Sequence, residues 1–171
     1  YVSRSRYDVE NFLKSRNMPY VTLKSIYDAG LYDKNLDLIP VLATVSPEKP
    51  QDDPDYYLAK VVRGSEFQRM IVGLMAEHDL DAICHPALQI QSPTHAELQS
   101  GKWPALEYPT NTIIASQALI PSICVPAGFS ESGLPIGLEI IAPPHHEPML
   151  LRLGYAFEQL TKWRRKPEFP I

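Results

Sequence analysis

Apolar residues recur three and four positions apart in several segments of the chain, the spacing that places them on one face of an α-helix. The longest such segment runs from Pro54 to about His78, where Asp53 is suited to cap the helix and Pro54 fits its first position. At 1.5 Å per residue this helix would be ~37 Å long, so we expect it to span a larger body. A second amphipathic helix closes the chain, with Pro148 in its first turn.

Shorter helical segments lie before and between these two. Asp8 is predicted to cap one helix and Thr22 another, with Gly30 just after the end of the second. Residues 33–45 are ambiguous and could form a helix kinked by Pro40. A further helix is predicted from Tyr108 to Ala118.

Three short apolar segments favour β-strands. Residues 82–84 and 122–125 are continuous apolar runs, whereas residues 136–140 alternate with period two. Residues 130–133 supply a turn between the last two strands, which therefore should pair antiparallel. Residues 87–107 show no period, and a loop of about 20 residues is typical of a functional or partner-covered segment.

These elements predict an α/β lobe in which a partial, mixed β-sheet is flanked by helices. So small a sheet would leave strand backbone unpaired at its edge. The simplest explanation is that further strands belong to a part outside this chain. Dimerisation through the open edge or the long helix is the alternative that we retain.

Composition narrows the class of protein. The 171 residues suit one domain or one lobe, and 17 prolines against 8 glycines indicate rigid loops rather than disorder. A net charge of −4 argues against nucleic-acid binding, and no apolar run reaches the ~18–20 residues of a membrane span. The two cysteines lie in apolar segments, which predicts buried free thiols in a reducing, cytoplasmic environment.

The residues alone give no complete catalytic site. Cys84 and His85 are neighbours on a strand and point to opposite faces, so Cys84 is better interpreted as a core thiol than as a nucleophile. No Gly-x-Ser-x-Gly or phosphate-binding motif occurs. His145 and His146 could bind a metal, but such residues more often simply open a helix. We therefore predict neither a metal nor a cofactor.

Five motifs in order carry a resemblance to the amidase signature hydrolases. Tyr56–Leu58 precedes the long helix, and Asp81–Pro86 resembles the family's strand that ends in proline. The remaining motifs are Val125–Phe129, Gly133–Glu139, and Ala156–Gln159 continuing to Pro167. The residues of these motifs are most similar to those of the branch of peptide amidase-like enzymes. We interpret residues 1–171 as a single partial domain, the C-terminal lobe of that fold, with 1–50 as a helical lead-in and 51–171 as the best-matched part.

The resemblance implies cleavage of an amide C–N bond by a Ser–cis-Ser–Lys triad, without metal. In the family those residues lie N-terminal to the region matched here, and nothing like Gly-Ser-Ser-Gly-Gly occurs in this chain. No catalytic residue is therefore expected in it, and the lobe alone should be inactive. Because the chain begins at Tyr1, as if cut from something longer, the expected partners are the N-terminal half of the enzyme, in the same chain or cleaved from it, and a small amide substrate.

One position departs from the family pattern. The family usually has Gly-aliphatic-Pro before the second strand, where this chain has Leu119-Ile120-Pro121. A leucine adopts positive φ only at a cost, so this pattern predicts either a different turn between helix and strand or an altered lobe.

Substrate-lining residues are expected where the first strand ends, since ligands of α/β folds collect beyond the carboxyl ends of strands. On this argument Gln89, Tyr108 and Asn111 are candidates for substrate binding, with ordinary loop polarity as the alternative. Two rival functions also stay open: a stand-alone binding or scaffold module derived from the family, and the amidotransferase-subunit branch that works beside tRNA. The acidic charge balance favours the tRNA-associated branch least.

Overall fold

In the computed structural model, which describes residues 2–167 without the side chains of residues 59 and 61, the chain divides into two units. One unit contains the residues up to 62 together with 93–108, and the other contains 63–92 and the residues from 109 onward. The long loop predicted after the first strand therefore belongs largely to the N-terminal unit. A hydrogen bond of 2.9 Å from the Ala105 amide to Asp37 Oδ2 helps to hold it there.

Helices form the N-terminal unit. They are α1 (Val2–Ser15), α2 (Leu23–Asp28), α3 (Leu38–Thr44), a 3-10 turn (Pro50–Asp52) and a short helix at His95–Gln99. The cap predicted at Thr22 is confirmed, because its side chain accepts the amide hydrogen of Ser25. The cap predicted at Asp8 is wrong, since α1 begins six residues earlier and Asp8 pairs with Arg4 within the helix. Residues 33–45 contain the helix α3, and Pro40 lies in its first turn, where a missing N–H breaks no intrahelical hydrogen bond.

A buried ion-pair network joins the elements of this unit. The Arg6 guanidinium donates to Glu10 Oε1, the Ser46 carbonyl and Glu48 Oε1, each at 3.0–3.1 Å. Glu10 Oε1 also accepts the amide hydrogen of Leu23, at 3.1 Å. Arg6 and Glu10 are 7% and 6% exposed, so each charge is compensated by its partners where water is excluded. The Arg6–Glu10 pair thus connects α1 with α2, through Glu10, and with the chain after α3, through Arg6.

The helix at His95–Gln99 was missed by the sequence analysis. Thr94 and Glu97 form a reciprocal capping box, in which each side chain accepts the other residue's backbone amide hydrogen. Hydrogen bonds from Lys102 and from the Thr94 amide, with the Lys102 charge, lower the pKa of Glu97 to about 2. The signal was therefore a Thr-x-x-Glu pattern rather than any apolar periodicity.

The C-terminal unit contains all three strands. They are β1 (Ile83–Pro86), β2 (Ser122–Phe129) and β3 (Pro135–Ile141). The helices of this unit are α4 (Gly64–Glu77), α6 (Ile113–Ala118) and α7 (Glu147–Thr161). The helix at His95–Gln99 in the N-terminal unit is α5. The single helix predicted from Pro54 to about His78 is confirmed over residues 56–77, although it begins two residues later and its residues Leu58–Arg63 are π-helical. Asp53 instead closes a turn, its side chain accepting the Asp55 amide hydrogen at 2.9 Å.

The sheet has the order β1-β3-β2 and is antiparallel throughout. The α/β class and the pairing of the last two strands are confirmed, whereas the predicted mixture of parallel and antiparallel strands is absent among the described residues. Pro86 and Pro126 both lie on edge strands, where a missing N–H is tolerated. A bulge between Pro126 and Gly128 bends β2 close to the turn.

Helices cover the two faces of the sheet. On one face α7 packs against Ile123, Val125 and Ile140, so closely that a Cβ at Gly154 would lie 2.8 Å from Ile123 Cδ1. On the other face Ile141 joins an apolar cluster with residues of α4 and α6. The cluster comprises Ile71, Met75, Ala115, Ala118, Ile120 and Ile141.

The turn between α6 and β2 does not differ as predicted. Leu119 adopts the left-handed conformation, with φ 53° and ψ 45°, and its side chain is 76% exposed. The Ile120 amide then donates to the Ala115 carbonyl at 3.1 Å, and Gln68 Nε2 donates to the carbonyl groups of Ala118 and Leu119. The geometry of a glycine turn is thus retained by a leucine that bears the backbone strain.

Replacement of Leu119 by glycine should therefore stabilise the chain. Left-handed backbone costs a non-glycine residue ~1–2 kcal/mol, and the greater freedom of glycine in the unfolded chain offsets part of this, leaving a net gain of about 1 kcal/mol. The midpoint of urea unfolding should rise at unchanged slope. Leu119→Ala keeps the strain and serves as control, with a change below ~0.5 kcal/mol. Equal midpoints for the glycine and alanine variants would show that the turn is not strained.

Candidate functional site

The end of β1 and the segment before α6 meet in a hydrogen-bonded junction. The Asn111 amide donates to the Ala87 carbonyl at 3.0 Å, and Asn111 Nδ2 donates to the Pro86 carbonyl at 2.9 Å. The Gln89 amide donates to the Pro109 carbonyl at 3.1 Å, and Leu88 forms a β-bridge with Thr110. We call residues 86–91 and 109–112 the polar junction.

Two of the three predicted substrate-binding residues come together in it. Gln89 Nε2 donates to Asn111 Oδ1 at 2.9 Å, although 22 positions separate the two residues in the chain. Gln89 is exposed and Asn111 is half-buried. Tyr108 belongs to the other unit, where its ring contacts Trp103 edge to face at 6.3 Å between centroids. The structure thus brings Gln89 and Asn111 into one site, whereas Tyr108 lies in the N-terminal unit.

The polar junction adjoins the turn of the β2–β3 hairpin. Ser132 Oγ donates to Gln91 Oε1 at 2.9 Å and is hydrogen-bonded to Ser130 Oγ at the same distance. The Ser130 amide donates to the Leu134 carbonyl, and Gly133 completes the turn with φ 80°. A cavity of about 280 Å³ lies between these two segments. Its lining consists of residues 87–92 and 134–137 together with Ser130.

The residues that line this cavity are uncharged, and their polar groups are suited to binding a ligand rather than to catalysis. Carboxamide side chains, hydroxyl groups and backbone carbonyls can donate to and accept from an uncharged polar ligand such as an amide. Ser130 and Ser132 contact each other, Ser132 also contacts Gln91, and neither serine has a histidine or lysine among its described hydrogen-bond partners. An activating base is what a nucleophilic serine requires. The arrangement therefore supports binding and supplies no nucleophile.

A second group of chemically capable residues lies across the strands. His85, Glu139 and Cys124 occupy one register row of β1, β3 and β2 and so share one sheet face. Glu139 is 3% exposed, and neither its Oε2 nor His85 Nε2 has a hydrogen-bond partner among the described residues. Desolvation and the Glu139 charge raise the pKa of the Cys124 thiol, which disfavours a reactive thiolate. Glu139 separates the histidine from Cys124, so this row contains no Cys–His pair.

The sequence analysis missed this row and misplaced both thiols. Cys84 and Cys124 are exposed, not buried, because Cys84 faces an open apolar groove beside α7 and Cys124 faces the opposite side of the sheet. Their strands lie at the two edges of the sheet, where neighbouring strands would have to cover them. The alternating pattern of residues 136–140 could have shown which face of the strand carries Glu139. The row of His85, Glu139 and Cys124 can be recognised only when the pairing of the three strands is known.

Residues 2–167 contain no cluster of three or more histidine, cysteine or acidic side chains able to hold a metal ion. His146 instead occupies the position just before α7 and contacts the Pro144 carbonyl through Nδ1 at 3.0 Å. In the same part of the chain, no helix has both the length and the apolarity needed to cross a membrane.

Comparison with known proteins defines the class. A lobe with a small antiparallel sheet covered by helices also occurs in the X-ray structure of native peptide amidase from Stenotrophomonas maltophilia, with a TM-score of 0.71 and 25% identity. The similarity covers 99% of this chain and 34% of that one. The family model described as Amidase matches residues 37–151, more than half of the chain. This chain therefore belongs to the amidase signature family.

Curated relatives show the same partial coverage. One glutamyl-tRNA(Gln) amidotransferase subunit, from Pseudomonas syringae pv. syringae, is 33% identical over 123 residues, which are 66% of this chain and 24% of the relative. The corresponding subunit of Thermodesulfovibrio yellowstonii is 50% identical over 54 residues, which are 32% of this chain and 11% of the relative. The chain thus spans about a quarter or less of the length of these relatives, and about a third of the peptide amidase.

The pair Gln89–Asn111 should be energetically coupled. Asn111→Ala removes a donor to Pro86 and the acceptor for Gln89, so we expect its free energy of unfolding to fall by ~1–2 kcal/mol. Gln89→Ala removes one partly solvated bond and should cost about 0.5 kcal/mol. The double variant should show a coupling of ~0.5–1 kcal/mol by urea unfolding. Strict additivity of the two single changes would mean that this hydrogen bond does not order the junction.

The buried carboxylate of Glu139 should be a destabilising feature of the isolated chain. Glu139→Gln keeps the shape and removes a charge that has no counter-ion among the described residues, so the free energy of unfolding at pH 7 should rise by about 1 kcal/mol or more. Glu131→Gln, in the exposed hairpin turn, is the matched control and should change it by less than ~0.5 kcal/mol. A loss of stability in Glu139→Gln would show that the carboxylate is compensated in solution.

Proposed function

We propose that this chain is the C-terminal lobe of an amidase signature hydrolase that cleaves the C–N bond of a small amide. In this proposal it forms a single partial domain that contributes sheet strands and part of the wall of the substrate pocket. The Ser–cis-Ser–Lys triad would come from the N-terminal half of the enzyme, in the same chain or in a cleaved partner. The proposal rests on the match of residues 37–151 to the family model, in a chain that covers 34% of the length of peptide amidase.

The surface of the chain supports this assignment. Several large apolar side chains far from one another in sequence are strongly exposed, among them Val45 (70%) and Leu160 (85%). The outer edges of β1 and β2 have no strand partner among the described residues. Exposed apolar surface and open strand edges are features that proteins normally cover. Coverage by the remainder of an amidase would remove both, whereas a stand-alone scaffold module would keep them. Dimerisation through the same edge stays an alternative way to cover it.

The polar junction is our proposed section of pocket wall. Gln89 and Asn111 present carboxamide groups, and Gln89 Oε1 accepts no hydrogen bond from the described residues. An amide substrate offers an N–H donor and a carbonyl acceptor, so it is complementary to such groups. Tyr108 remains a third residue that we propose for substrate binding.

Two free thiols favour a reducing, cytoplasmic location. The relatives include subunits of glutamyl-tRNA(Gln) amidotransferases, but the acidic charge keeps the peptide amidase-like branch as our proposal.

The proposal predicts that catalytic activity resides in a longer species. Purified residues 1–171 should release no ammonia above the buffer background from a panel of primary amides, because they supply no activated nucleophile. Antibodies raised against this chain should capture from the source cell a protein several hundred residues long. That protein should hydrolyse amides and lose this activity on treatment with a serine-directed reagent.

Intact-mass measurement of the captured protein distinguishes the alternatives. A species of 19.3 kDa without amidase activity or an amidase partner would contradict the proposal and favour the binding module. Amide turnover by residues 1–171 themselves would contradict the claim that the lobe is inactive. Tight, salt-dependent binding of tRNA to the captured protein would instead favour the amidotransferase branch.

A further inference from the structure

The segment after α7 lines a cleft beside the β2–β3 hairpin. Lys162 ends the helix in the left-handed conformation, with φ 53°, and the chain then turns toward the hairpin. The cleft is open to solvent and has a volume of about 510 Å³. We call it the basic cleft. It is lined by Pro126, Phe129, Gly133, Pro135 and residues 163–167.

Positive charge is concentrated in this cleft. Arg164, Arg165 and Lys166 are consecutive and all line it, while no carboxylate is found among its described lining residues. None of these three cations forms an ion pair with another residue of the range 2–167. The ion pairs within that range all lie in the N-terminal unit. The chain as a whole carries a net charge of −4. A cluster of cations that has no ion-pair partner within residues 2–167 of an acidic protein favours an anionic ligand.

Aromatic and proline rings form the rest of the wall. The Arg165 guanidinium carbon lies 3.6 Å from the centroid of the Phe129 ring, which is close stacking. A guanidinium stacked in this way is oriented by the ring and still carries its N–H groups at the edge, where a carboxylate can accept two of them. Trp163 is 48% exposed and contributes a second aromatic surface.

We propose that the basic cleft binds a small aromatic carboxylate. The carboxylate would accept hydrogen bonds from Arg165 and lie near Arg164 and Lys166, and the ring would contact Trp163 and the proline side chains. A polynucleotide fits less well, because it requires a basic stripe longer than one cluster of three residues. The cleft and the cavity at the polar junction lie at the same hairpin and share only Pro135 among their described lining residues, so this proposal does not rest on the proposed amide hydrolysis.

Benzoate is the test ligand, and benzamide is its uncharged counterpart. In titrations of the 171-residue chain followed by the indole N–H resonance of Trp163, benzoate should bind with a Kd on the order of 1 mM. Benzamide should bind at least tenfold more weakly, and added salt should weaken benzoate binding. Arg165→Gln should reduce affinity for benzoate about tenfold. Arg69→Gln, an exposed arginine on α4, makes the same charge change elsewhere and should leave it unchanged.

Several outcomes would overturn the proposal. Equal binding of benzoate and benzamide would show that the cations do not select the ligand. Inorganic phosphate that shifts the same resonances with the affinity of benzoate would indicate an anion site without aromatic recognition. Equal affinities for Arg165→Gln and Arg69→Gln would place benzoate elsewhere. Phe129→Leu removes the stacked ring and not the charge, so it should weaken binding while amide resonances of α4 remain unshifted. Unchanged binding in that variant would also count against the cleft.

Discussion

Strand β3 is the element on which the C-terminal unit depends. It is hydrogen-bonded on both edges, to β1 through Leu138–Ile141 and to β2 along its whole length. Ile140 faces α7 and Ile141 faces α4 and α6, so adjacent residues anchor both apolar clusters. A shift of one residue in its register would exchange these two side chains and move the buried Glu139 to the other face. The same register also fixes the hairpin turn against the polar junction and the basic cleft.

What the sequence predicted well follows from local chemistry. The hairpin at residues 130–133, the α7 helix with Pro148 in its first turn and the cap at Thr22 each depend on a few adjacent residues. The proximity of Gln89 and Asn111 was anticipated only as a shared location beyond β1, and their hydrogen bond needed the fold to bring distant segments together. The α5 helix was missed because its capping box, not its apolar pattern, defines it.

The errors share a different physical cause. Burial of Cys84 and Cys124 was inferred from the apolar residues next to them in the sequence. Such neighbours indicate burial only when the edges of the sheet are covered, and both cysteines lie on uncovered edge strands. Leu119 was expected to change a turn, yet the packing of α6 and β2 around it holds the left-handed backbone in place. The helix predicted from Pro54 begins two residues later, and its π-helical residues, which the apolar spacing did not indicate, lie close to the boundary of the two units. In each case tertiary context overrode a local preference.

The two units also differ in how they stabilise themselves, and this bears on their roles. The N-terminal unit is held by Arg6, whose charge is matched by Glu10 and Glu48 within the unit. In the C-terminal unit Glu139, Arg164 and Lys166 have no ion-pair partner among the described residues, and the apolar side of α7 is partly open. Buried charge without an ion-pair partner raises the free energy of a folded chain, and so does exposed apolar surface, which both units have. Such surfaces are ones that proteins normally cover. The proposed amidase lobe and the proposed carboxylate-binding cleft account for different parts of this surface.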